Sequence, residues 1–333
     1  MSKNIFKLNS KAKYDVLGIG SALLDLTVQV DDEFLSNLGL TKGGMHLVTQ
    51  KQSKNILDKL STCTMEITPG GSSANTLAGI SNFVGKAIFI GTVGNDEYGQ
   101  IYITETKRSG VKSQINRHNS ITGHAITFIT SDSERTFATH LGAALNLKVD
   151  NLREEDVANS KIIHLEGYLF ENPELQKVCL TAIDMAHKNN VLVSVDLSDS
   201  SLIDRIYDVF DKIVREHVDI LFVNEDEAFA FTKKREKEAL KKISEMCQVS
   251  VVKLGARGSL VKALDEIYEI PVYKTNSINT NGAGDMYAAG FLYGIAEGLP
   301  LQKAGRFGSY ASSLVVAQSG ARISGEIDLS KII

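Results

Sequence analysis

The sequence contains no tryptophan, four prolines and three cysteines, and it has no long apolar run. Cys63, Cys179 and Cys247 are far apart and odd in number, so we expect neither a disulfide framework nor a zinc site. No stretch reaches the length of a membrane span. The N-terminal "MSKNIFKLNSKAKYD" lacks the apolar core of a secretory signal. These absences predict a protein of a reducing cytoplasm with no membrane partner.

The charge is almost balanced, with a net value of −4 from 36 Lys and Arg against 40 Asp and Glu. Nucleic acid demands a basic surface, so we expect a small-molecule partner instead. A chain of 333 residues has room for one large α/β domain with an insertion, or for two domains. The sequence leaves open whether the protein is a monomer or a homodimer.

Short β-branched runs alternate with longer amphipathic runs, which predicts βαβ units and a doubly wound, mostly parallel sheet. One helix should follow Gly71 and end with Gly85 as its C-cap, and another should begin after Asn172 with Pro173 at its first position. The predicted strands are 14–20, 87–93, 161–167, 191–197, 219–225 and 249–255.

Two segments, 26–49 and 121–144, alternate in the manner of half-exposed antiparallel strands, and "TSDSER" supplies a hairpin turn in the second. They predict a small β lid beside a main domain. The main domain would then comprise 14–25, 50–120 and 145–333.

The glycine-rich motifs exclude two common nucleotide sites. "GIGSAL" has Leu23 where a dinucleotide-binding fingerprint needs a third glycine, and no GxxxxGK[ST] is present. "GGSSAN" leads into a helix, which favours a turn with serine caps. The alternative is that Gly70 and Gly71 let a ligand approach the backbone while Asn75 points to hydroxyl groups.

Two further motifs end predicted strands at the edge where open α/β sheets bind ligands. "NEDE" is compatible with a helix cap by Asn224, or with a water-mediated Mg²⁺ site that uses Glu227. "KLGARGS", with Lys253, Gly255 and Gly258, is by itself compatible with a β-turn.

"NTNGAGD" raises the same choice between a turn and a site. Gly282 and Gly284 could make a tight turn, with Asp285 as a first-turn acid favoured by the helix dipole. Alternatively, the bare N–H groups face an anion and Asp285 performs chemistry beside it.

The motifs together resemble the PfkB or ribokinase-like family of carbohydrate and nucleoside kinases along nearly the whole chain. They stand in the family's order: "GIGSALLD", "GGSSAN", "NEDE", "KLGARG" and "NTNGAGD". "GLTKGGMHLV", "GGSSANT", "SERTFATHLGAA" and "LEGYLF" are most similar to adenosine kinases and their bacterial relatives. The resemblance implies a three-layer αβα sandwich with a β lid, ATP as co-substrate and Mg²⁺.

The resemblance also implies roles for individual residues. Asp285 would be the catalytic base, and Gly282, Ala283 and Gly284 would form an anion hole for the transferred phosphoryl group. The residues implied to bind the substrate are Asp25, Gly70, Gly71, Asn75, Arg135, Phe137 and Tyr168, with Phe170 beside Tyr168. The residues implied to bind the nucleotide are Asn224, Lys253, Gly255 and Gly258, with Glu227 holding Mg²⁺ through water.

Two positions depart from the family pattern. Asn279 stands where relatives usually have an Asp that helps to bind a monovalent cation, so we expect weak or absent potassium stimulation. Ser21 stands where adenosine kinases often have Asn.

The expected function is phosphorylation of a nucleoside, adenosine at its 5′-hydroxyl, and the alternatives are a fructose or ribose kinase or a catalytically silent nucleotide-binding relative. Retention of Asp285 and its glycines favours an active enzyme over the silent relative.

Overall fold

The computed structural model describes residues 5–132, 134–325 and 327–328. This part of the chain forms fourteen strands, twelve α-helices and four short 3₁₀ segments. The strands are β1 (Tyr14–Ile19), β2 (Leu23–Gln29), β3 (Met45–Leu47), β4 (Glu66–Pro69), β5 (Ala87–Gly94), β6 (Lys112–His118), β7 (Gly123–Ile129), β8 (Arg135–His140), β9 (Ser160–Glu166), β10 (Leu192–Asp196), β11 (Ile220–Asn224), β12 (Val249–Lys253), β13 (Ser259–Ala263) and β14 (Glu266–Ile270).

The helices are α1 (Asp32–Leu38), α2 (Gln50–Lys59), α3 (Ser72–Asn82), α4 (Glu97–Arg108), α5 (Glu154–Ala158), α6 (Pro173–Lys188), α7 (Ser200–Arg205), α8 (Tyr207–His217), α9 (Glu225–Thr232), α10 (Glu236–Ile243), α11 (Ala283–Ala296) and α12 (Leu301–Val316). The 3₁₀ segments are Gly142–Asn146, Val149–Asn151, Gly167–Phe170 and Gly255–Arg257.

The large sheet has the strand order β14-β13-β12-β11-β10-β9-β1-β5-β6. Its strands are parallel from β12 to β6, and β13 and β14 add an antiparallel edge. Successive residues such as Val16 and Leu17 belong to separate hydrophobic cores, one under α3, α11 and α12 and the other under α6, α8 and α10. The predicted α/β fold with a doubly wound, mostly parallel sheet between two helical layers is therefore confirmed, and all six predicted strands are present.

A second sheet has the order β3-β8-β7-β2-β4. The predicted hairpin joins β7 and β8, with Arg135 opposite Ile129. Two features differ from the expectation. Residues 32–38 form α1 rather than a strand, because Asp31 caps the helix by accepting a hydrogen bond from the N–H of Phe34. In addition, β2 pairs in parallel with β7, and β4, from the range assigned to the main domain, pairs with β2.

The end of α3 also differs from the sequence-based expectation. The sequence predicts Gly85 as the C-cap, but the left-handed residue is Val84, with φ 67°. The N–H of Gly85 donates to the carbonyl of Ile80 at 3.0 Å, so Gly85 is the second residue of a Schellman-type ending. Val84 tolerates this conformation on the surface, where it is 79% exposed. The start of α6 agrees with the prediction, since Asn172 caps it and Pro173 is its first residue.

The fold places helix N-termini and strand ends at one edge of the large sheet. Helices α3 and α11 pack closely because Gly79 has no side chain: an added Cβ there would lie 2.7 Å from the Cβ of Ala289. The chain leaves β1 at Ile19 and enters the small sheet at Leu23, so this sheet begins at the carboxyl edge of the large one.

Within the described ranges no helix combines the length and the apolar character needed to cross a membrane.

Candidate active site

Asp285 lies in the first turn of α11 and is held by the first turn of α3. Its Oδ1 accepts a hydrogen bond from Ser72 Oγ at 2.7 Å, and its Oδ2 accepts one from Asn75 Nδ2 at 3.0 Å. Gly282 starts the helix with φ 75°, and an added Cβ would lie 2.5 Å from the carbonyl oxygen of Ala321. The glycine is therefore required both by the backbone conformation and by the close packing, and it fixes where Asp285 projects.

Burial raises the pKa of Asp285 to about 6. The hydrogen bonds from Ser72 and Asn75 lower that pKa, the charge of Asp196 raises it and the charge of Lys253 lowers it. A carboxylate with a pKa near neutrality, partly exposed at a helix N-terminus, suits a general base.

Among the three residues expected to form the anion hole, the N–H groups of Ala283 and Gly284 differ in their bonding. The N–H of Ala283 donates to the carbonyl of Thr280 at 3.2 Å. The N–H of Gly284 has no acceptor among the residues that the structure describes. An added Cβ at Gly284 would lie 3.2 Å from Lys253 Nζ, so a free N–H and an ammonium group lie close together beside Asp285.

Lys253, the last residue of β12, forms an ion pair of 2.6 Å with Asp196, the last residue of β10. Burial lowers the pKa of Lys253, but the charges of Asp196 and Glu227 outweigh it and the net pKa is raised. Lys253 therefore stays charged. Gly255 and Gly258 form the tight turn that follows, with φ 57° and 91°. An added Cβ at Gly258 would lie 2.1 Å from the carbonyl oxygen of Ile270, so this turn admits no side chain there.

Asn224 and Glu227 form a capping box at the start of α9. Asn224 Oδ1 accepts from the N–H of Glu227 at 2.9 Å, and Glu227 Oε2 accepts from the N–H of Asn224 at 2.7 Å. The structure thus contains the helix cap that is one of the two interpretations of "NEDE". Burial raises the pKa of Glu227 to about 7, Lys253 lowers it and Asp196 raises it.

The carboxylates near Lys253 are few for a metal site. Among the residues described, no group of three or more His, Cys, Asp or Glu side chains is arranged to hold a metal ion. Oxygen donors from Glu227 and Asp196 fit Mg²⁺ only if water and phosphate oxygens supply the other ligands, which is the usual way that Mg²⁺ binds beside nucleotides.

Asp25 lies on β2 next to the glycine pair. An added Cβ at Gly70 would lie 2.5 Å from Asp25 Oδ2, and one at Gly71, where φ is 92°, would lie 2.2 Å from the carbonyl oxygen of Ser21. No donor to the Asp25 carboxylate is found among the described residues, so its oxygens are free to accept from a ligand. Burial raises its pKa to about 6, Arg322 lowers it, Asp285 raises it and Arg135 lowers it.

The face of the small sheet that carries Asp25 also carries an apolar strip, formed by Phe137, Met45 and Leu47. Phe137 on β8 lies opposite Thr127 of β7 and Met45 of β3, and on the next rung Leu47 lies opposite Thr139. Met45 is 48% exposed and Leu47 is 60% exposed. Residues paired in register point to the same face of a sheet. Asp25 shares this face, because it pairs with Ala125, which in turn pairs with Thr139.

The two aromatic residues of "EGYLF" occupy different environments. Tyr168 is 37% exposed in the 3₁₀ segment after β9. Burial of its hydroxyl raises its pKa, as do the charges of Asp199 and Glu166. Phe170 is buried against Phe210, with ring centroids 6.0 Å apart, so its expected part in a substrate site is wrong and it is a core residue. Phe137 and Tyr168 are not in ring contact with each other.

A model of the pfkB family carbohydrate kinases matches residues 49–328. The chain belongs to this family. A solved structure of a probable sugar kinase from Rhizobium etli CFN 42 is 31% identical, covers 95% of this chain and 96% of its own, and superposes with a TM-score of 0.87. Adenosine kinase from Sinorhizobium meliloti is 33% identical, with coverages of 93% and 96% and a TM-score of 0.85. Adenosine kinase 2 of Arabidopsis thaliana is 27% identical over 93% of this chain and 96% of its own.

Membership of the pfkB family makes the protein a phosphotransferase with an alcohol group as acceptor. The relatives differ in their acceptors, since two are adenosine kinases and one is described as a sugar kinase. The predicted kinase resemblance and ribokinase-like fold are confirmed, and the acceptor is left open.

Four polar residues of the candidate site were not among the residues predicted from the sequence: Ser72, Glu166, Asp196 and Arg322. Like Asn224, Asp196 is a polar residue at the carboxyl end of a predicted strand, where open α/β sheets bind ligands. The same criterion therefore predicts Asp196 as a site residue. Glu166 is buried and accepts hydrogen bonds from the N–H groups of Ser21 at 2.8 Å and Ser73 at 3.0 Å, which ties the β1–β2 turn to α3. No motif marks Arg322, which follows α12.

The two departures from the family pattern have structural partners. The side-chain oxygen of Asn279 accepts from the N–H of Asn281 at 2.9 Å, and its amide group donates to the carbonyl of Gly320 at 3.3 Å. Asn279 therefore shapes the turn before Gly282. Ser21 is buried at the turn that carries the chain into the small sheet.

Proposed function

We propose that the protein is an ATP-dependent nucleoside kinase that phosphorylates the 5′-hydroxyl of adenosine. The observation that carries the proposal is Asp285: a carboxylate of near-neutral pKa, fixed by Ser72 and Asn75, at a helix N-terminus beside Lys253 and the free N–H of Gly284. This arrangement combines a base with an electropositive pocket, which is what phosphoryl transfer to an alcohol requires.

In this mechanism Asp285 accepts the proton of the acceptor hydroxyl as its oxygen attacks the γ-phosphorus of ATP, and the bond from phosphorus to the bridging oxygen of ADP breaks. The N–H of Gly284 and the ammonium of Lys253 stabilise the charge on the phosphoryl oxygens. Glu227, and Asp196 beside it, would hold Mg²⁺ through water, and that ion would neutralise phosphate charge when bound.

Asp25 and Asn75 are the proposed partners of the ribose hydroxyls. Asp25 has free acceptor oxygens, and the bare backbone at Gly70 and Gly71 leaves room for a sugar to lie against the chain. Arg135, two residues before Phe137 on β8, lies within electrostatic range of Asp25 and is proposed to close over the phosphates when the small sheet approaches the large one.

The apolar strip favours a nucleoside over a free sugar. A purine requires a flat apolar surface, whereas a free sugar requires hydrogen-bonding groups around its ring. Phe137, Met45 and Leu47 form such a surface on the face of the small sheet that also carries Asp25, with Ala125 and Thr139 between Asp25 and Leu47. Tyr168, partly exposed and within electrostatic range of Glu166 and Asp285, is the proposed second wall for the base once the site closes.

A panel of acceptors tests the proposal. ATP consumption with adenosine, other nucleosides, fructose and ribose should show a far higher kcat/KM for adenosine, and the product should carry its phosphate on the 5′ oxygen. Efficient fructose phosphorylation without adenosine turnover would replace the nucleoside by a sugar while keeping the kinase. If the protein consumes no ATP with any acceptor in a broad panel, the result would support the catalytically silent alternative.

A further inference from the structure

Arg322 reaches the candidate active site from the segment that follows α12. Its Nε donates to Asn75 Oδ1 at 2.9 Å, and Asn75 Nδ2 donates to Asp285 Oδ2 at 3.0 Å. An amide oxygen can only accept and an amide NH₂ can only donate. The guanidinium on one side and the carboxylate on the other therefore fix a single orientation of the Asn75 side chain.

The same guanidinium lies beside both parts of the proposed sugar site. Its Nη2 approaches the carbonyl of Gly70 at 3.5 Å, and the hydroxyl of Tyr102 donates to that carbonyl at 3.2 Å. The charge of Arg322 also lowers the pKa of Asp25, against the effect of burial. Arg322 thus lies between Asp25, which is proposed to accept from the ribose hydroxyls, and Asn75, which holds the catalytic base Asp285.

The segment around Arg322 is anchored on both sides. Before it, the carbonyl of Gly320 accepts from Asn279, and Ala321 packs directly against Gly282. After it, the carbonyl of Ile323 accepts from Asn82 Nδ2 at 3.1 Å. The backbone on both sides of Arg322 is therefore fixed by contacts with the rest of the fold, which restricts where its guanidinium can lie.

We propose that Arg322 is a positioning residue for phosphoryl transfer: it fixes the Asn75 amide that holds the Asp285 carboxylate, and it balances the charge of Asp25. This inference rests on the proposed function. Its consequence is that Arg322, which touches none of the reacting atoms in the mechanism above, sets the geometry and ionisation of the base.

Removing Arg322 should change the ionisation of the site in a defined direction. The charged groups that act on Asp285 and Asp25 are Asp196, Glu166, Lys253, Arg135 and Arg322. Without Arg322 the carboxylates keep two cations instead of three, and Asp285 loses a fixed donor. Both effects raise the pKa of Asp285, so activity should require a higher pH.

The test compares Arg322→Met, Arg322→Lys, Asn75→Leu and the double variant Arg322→Met with Asn75→Leu. Arg306→Met, on the exposed face of α12, is the matched control for loss of an arginine and should behave as the parent. Each variant is assayed with ATP and adenosine for kcat, KM and the pH dependence of both, and its melting temperature is recorded. The pKa of Asp285 is measured without substrate by ¹³C NMR of Asp-labelled protein, with Asp285→Asn giving the assignment.

In Arg322→Met we expect kcat to fall by about 10- to 100-fold, the range for loss of a hydrogen bond to a charged group. The acid limb of the pH profile and the NMR pKa of Asp285 should both move to higher pH. Arg322→Lys keeps the charge without the Nε donor, so its acid limb should stay close to the parent while kcat still falls. The double variant should lose no more in kcat than Asn75→Leu, because both substitutions break one chain of contacts.

Parental kcat and pH dependence in Arg322→Met, or additive losses in the double variant, would overturn the inference and leave the proposed function intact. If Arg322→Met does not fold, parental kcat in Arg322→Lys has the same meaning. If the parent phosphorylates no acceptor, the proposed function fails. The NMR titration of Asp285 then tests the positioning role of Arg322 independently of activity. An Asp285 pKa unchanged by Arg322→Met then overturns the positioning role.

Discussion

Asn75 donates a hydrogen bond to the Asp285 carboxylate at 3.0 Å, although the two residues are 210 positions apart in the chain. Each stands in the first turn of its helix, Asn75 in α3 and Asp285 in α11. The close packing of the two helices at Gly79 makes this contact possible. Two modest motifs, "GGSSAN" and "NTNGAGD", therefore form one structural unit.

Asp285→Asn should lower kcat by about 10²- to 10⁴-fold, the usual cost of losing a general base. The substitution keeps the size of the side chain and can keep both neighbours, since the Ser72 hydroxyl can accept as well as donate. Binding of ATP and adenosine, measured by calorimetry, should therefore survive. Asp265→Asn, in the exposed turn between β13 and β14, is the control. Turnover within a few-fold of the parent would contradict the mechanism.

Asp285→Asn should also stabilise the free protein at neutral pH. Folding raises the pKa of Asp285 from 3.8 to about 6, so the folded state disfavours the ionised carboxylate. The resulting loss of stability is absent below pH 3.8, grows as the pH rises and is complete above about 6. Its upper limit is about 3 kcal/mol, and partial exposure reduces it to about 1–2 kcal/mol.

Urea unfolding of parent and Asp285→Asn at pH 5 and pH 7.5 measures this difference. The variant should gain more stability at pH 7.5 than at pH 5. If the parent and Asp285→Asn have equal free energies of unfolding at pH 7.5, the folded state does not destabilise the ionised Asp285 carboxylate.

Local patterns in the sequence predicted the parts of the fold that depend on nearby residues. The presence of six strands, the Asn172 cap and the β7–β8 hairpin follow from β-branched runs, capping chemistry and turn residues, while the strand ends differ from the predicted ones by one or two residues. The motifs also singled out Gly282, Gly71 and Gly258, and the structure gives the reason for glycine there, since each has a positive φ that disfavours any other residue.

Contacts between distant segments could not be predicted in this way. The pairing of β4 with β2, the packing of Phe170 on Phe210 and the reach of Arg322 to Asn75 are set by how layers assemble. Neither periodicity nor residue type in one segment reports its partner elsewhere in the chain. The resemblance to a family indicated which motifs meet, and the structure adds the polar residues that join them.

The pH dependence of kcat/KM should show an acid limb near pH 6. Asp285 must be ionised to accept a proton, and both Asp285 and Asp25 have pKa values raised to about 6, each influenced by burial first. The two carboxylates act on each other, so the apparent pKa values belong to the pair. Activity should fall as the pH drops from 7 to 5 at constant ionic strength. A flat profile over that range would contradict a base with this environment.

Glu227→Gln should raise the Mg²⁺ concentration needed for half-maximal rate. Glutamine can replace glutamate in a capping box, so the hydrogen bond with Asn224 can persist while the charge is lost. Burial already raises the pKa of Glu227 to about 7, so the neutral side chain should fold at least as well as the parent. A thermal melt checks folding, and Asp226→Asn, at the exposed second position of α9, is the control. An unchanged Mg²⁺ titration would assign Glu227 to capping alone.

Phe137→Ala tests whether the apolar strip binds a nucleobase. Phe137 lies in register between Thr127 and Met45 on the face that carries Asp25, and its ring is partly exposed there. Because the base lies away from the transferred phosphate, losing the ring should weaken ground-state and transition-state binding alike. We therefore expect KM for adenosine to rise about 10-fold, a typical worth of one aromatic contact, with kcat within a few-fold of the parent.

The controls for Phe137→Ala separate binding of the base from damage to the fold. Tyr207→Ala removes another partly exposed aromatic residue, at the start of α8, and should leave KM unchanged. Any residual turnover of ribose should have the same KM in Phe137→Ala as in the parent, because a free sugar has no base to contact the ring. If KM for ribose rises as much as KM for adenosine, Phe137 supports the shape of the sheet and the nucleoside proposal loses its main structural argument. If KM for adenosine alone rises, the acceptor is recognised by its base.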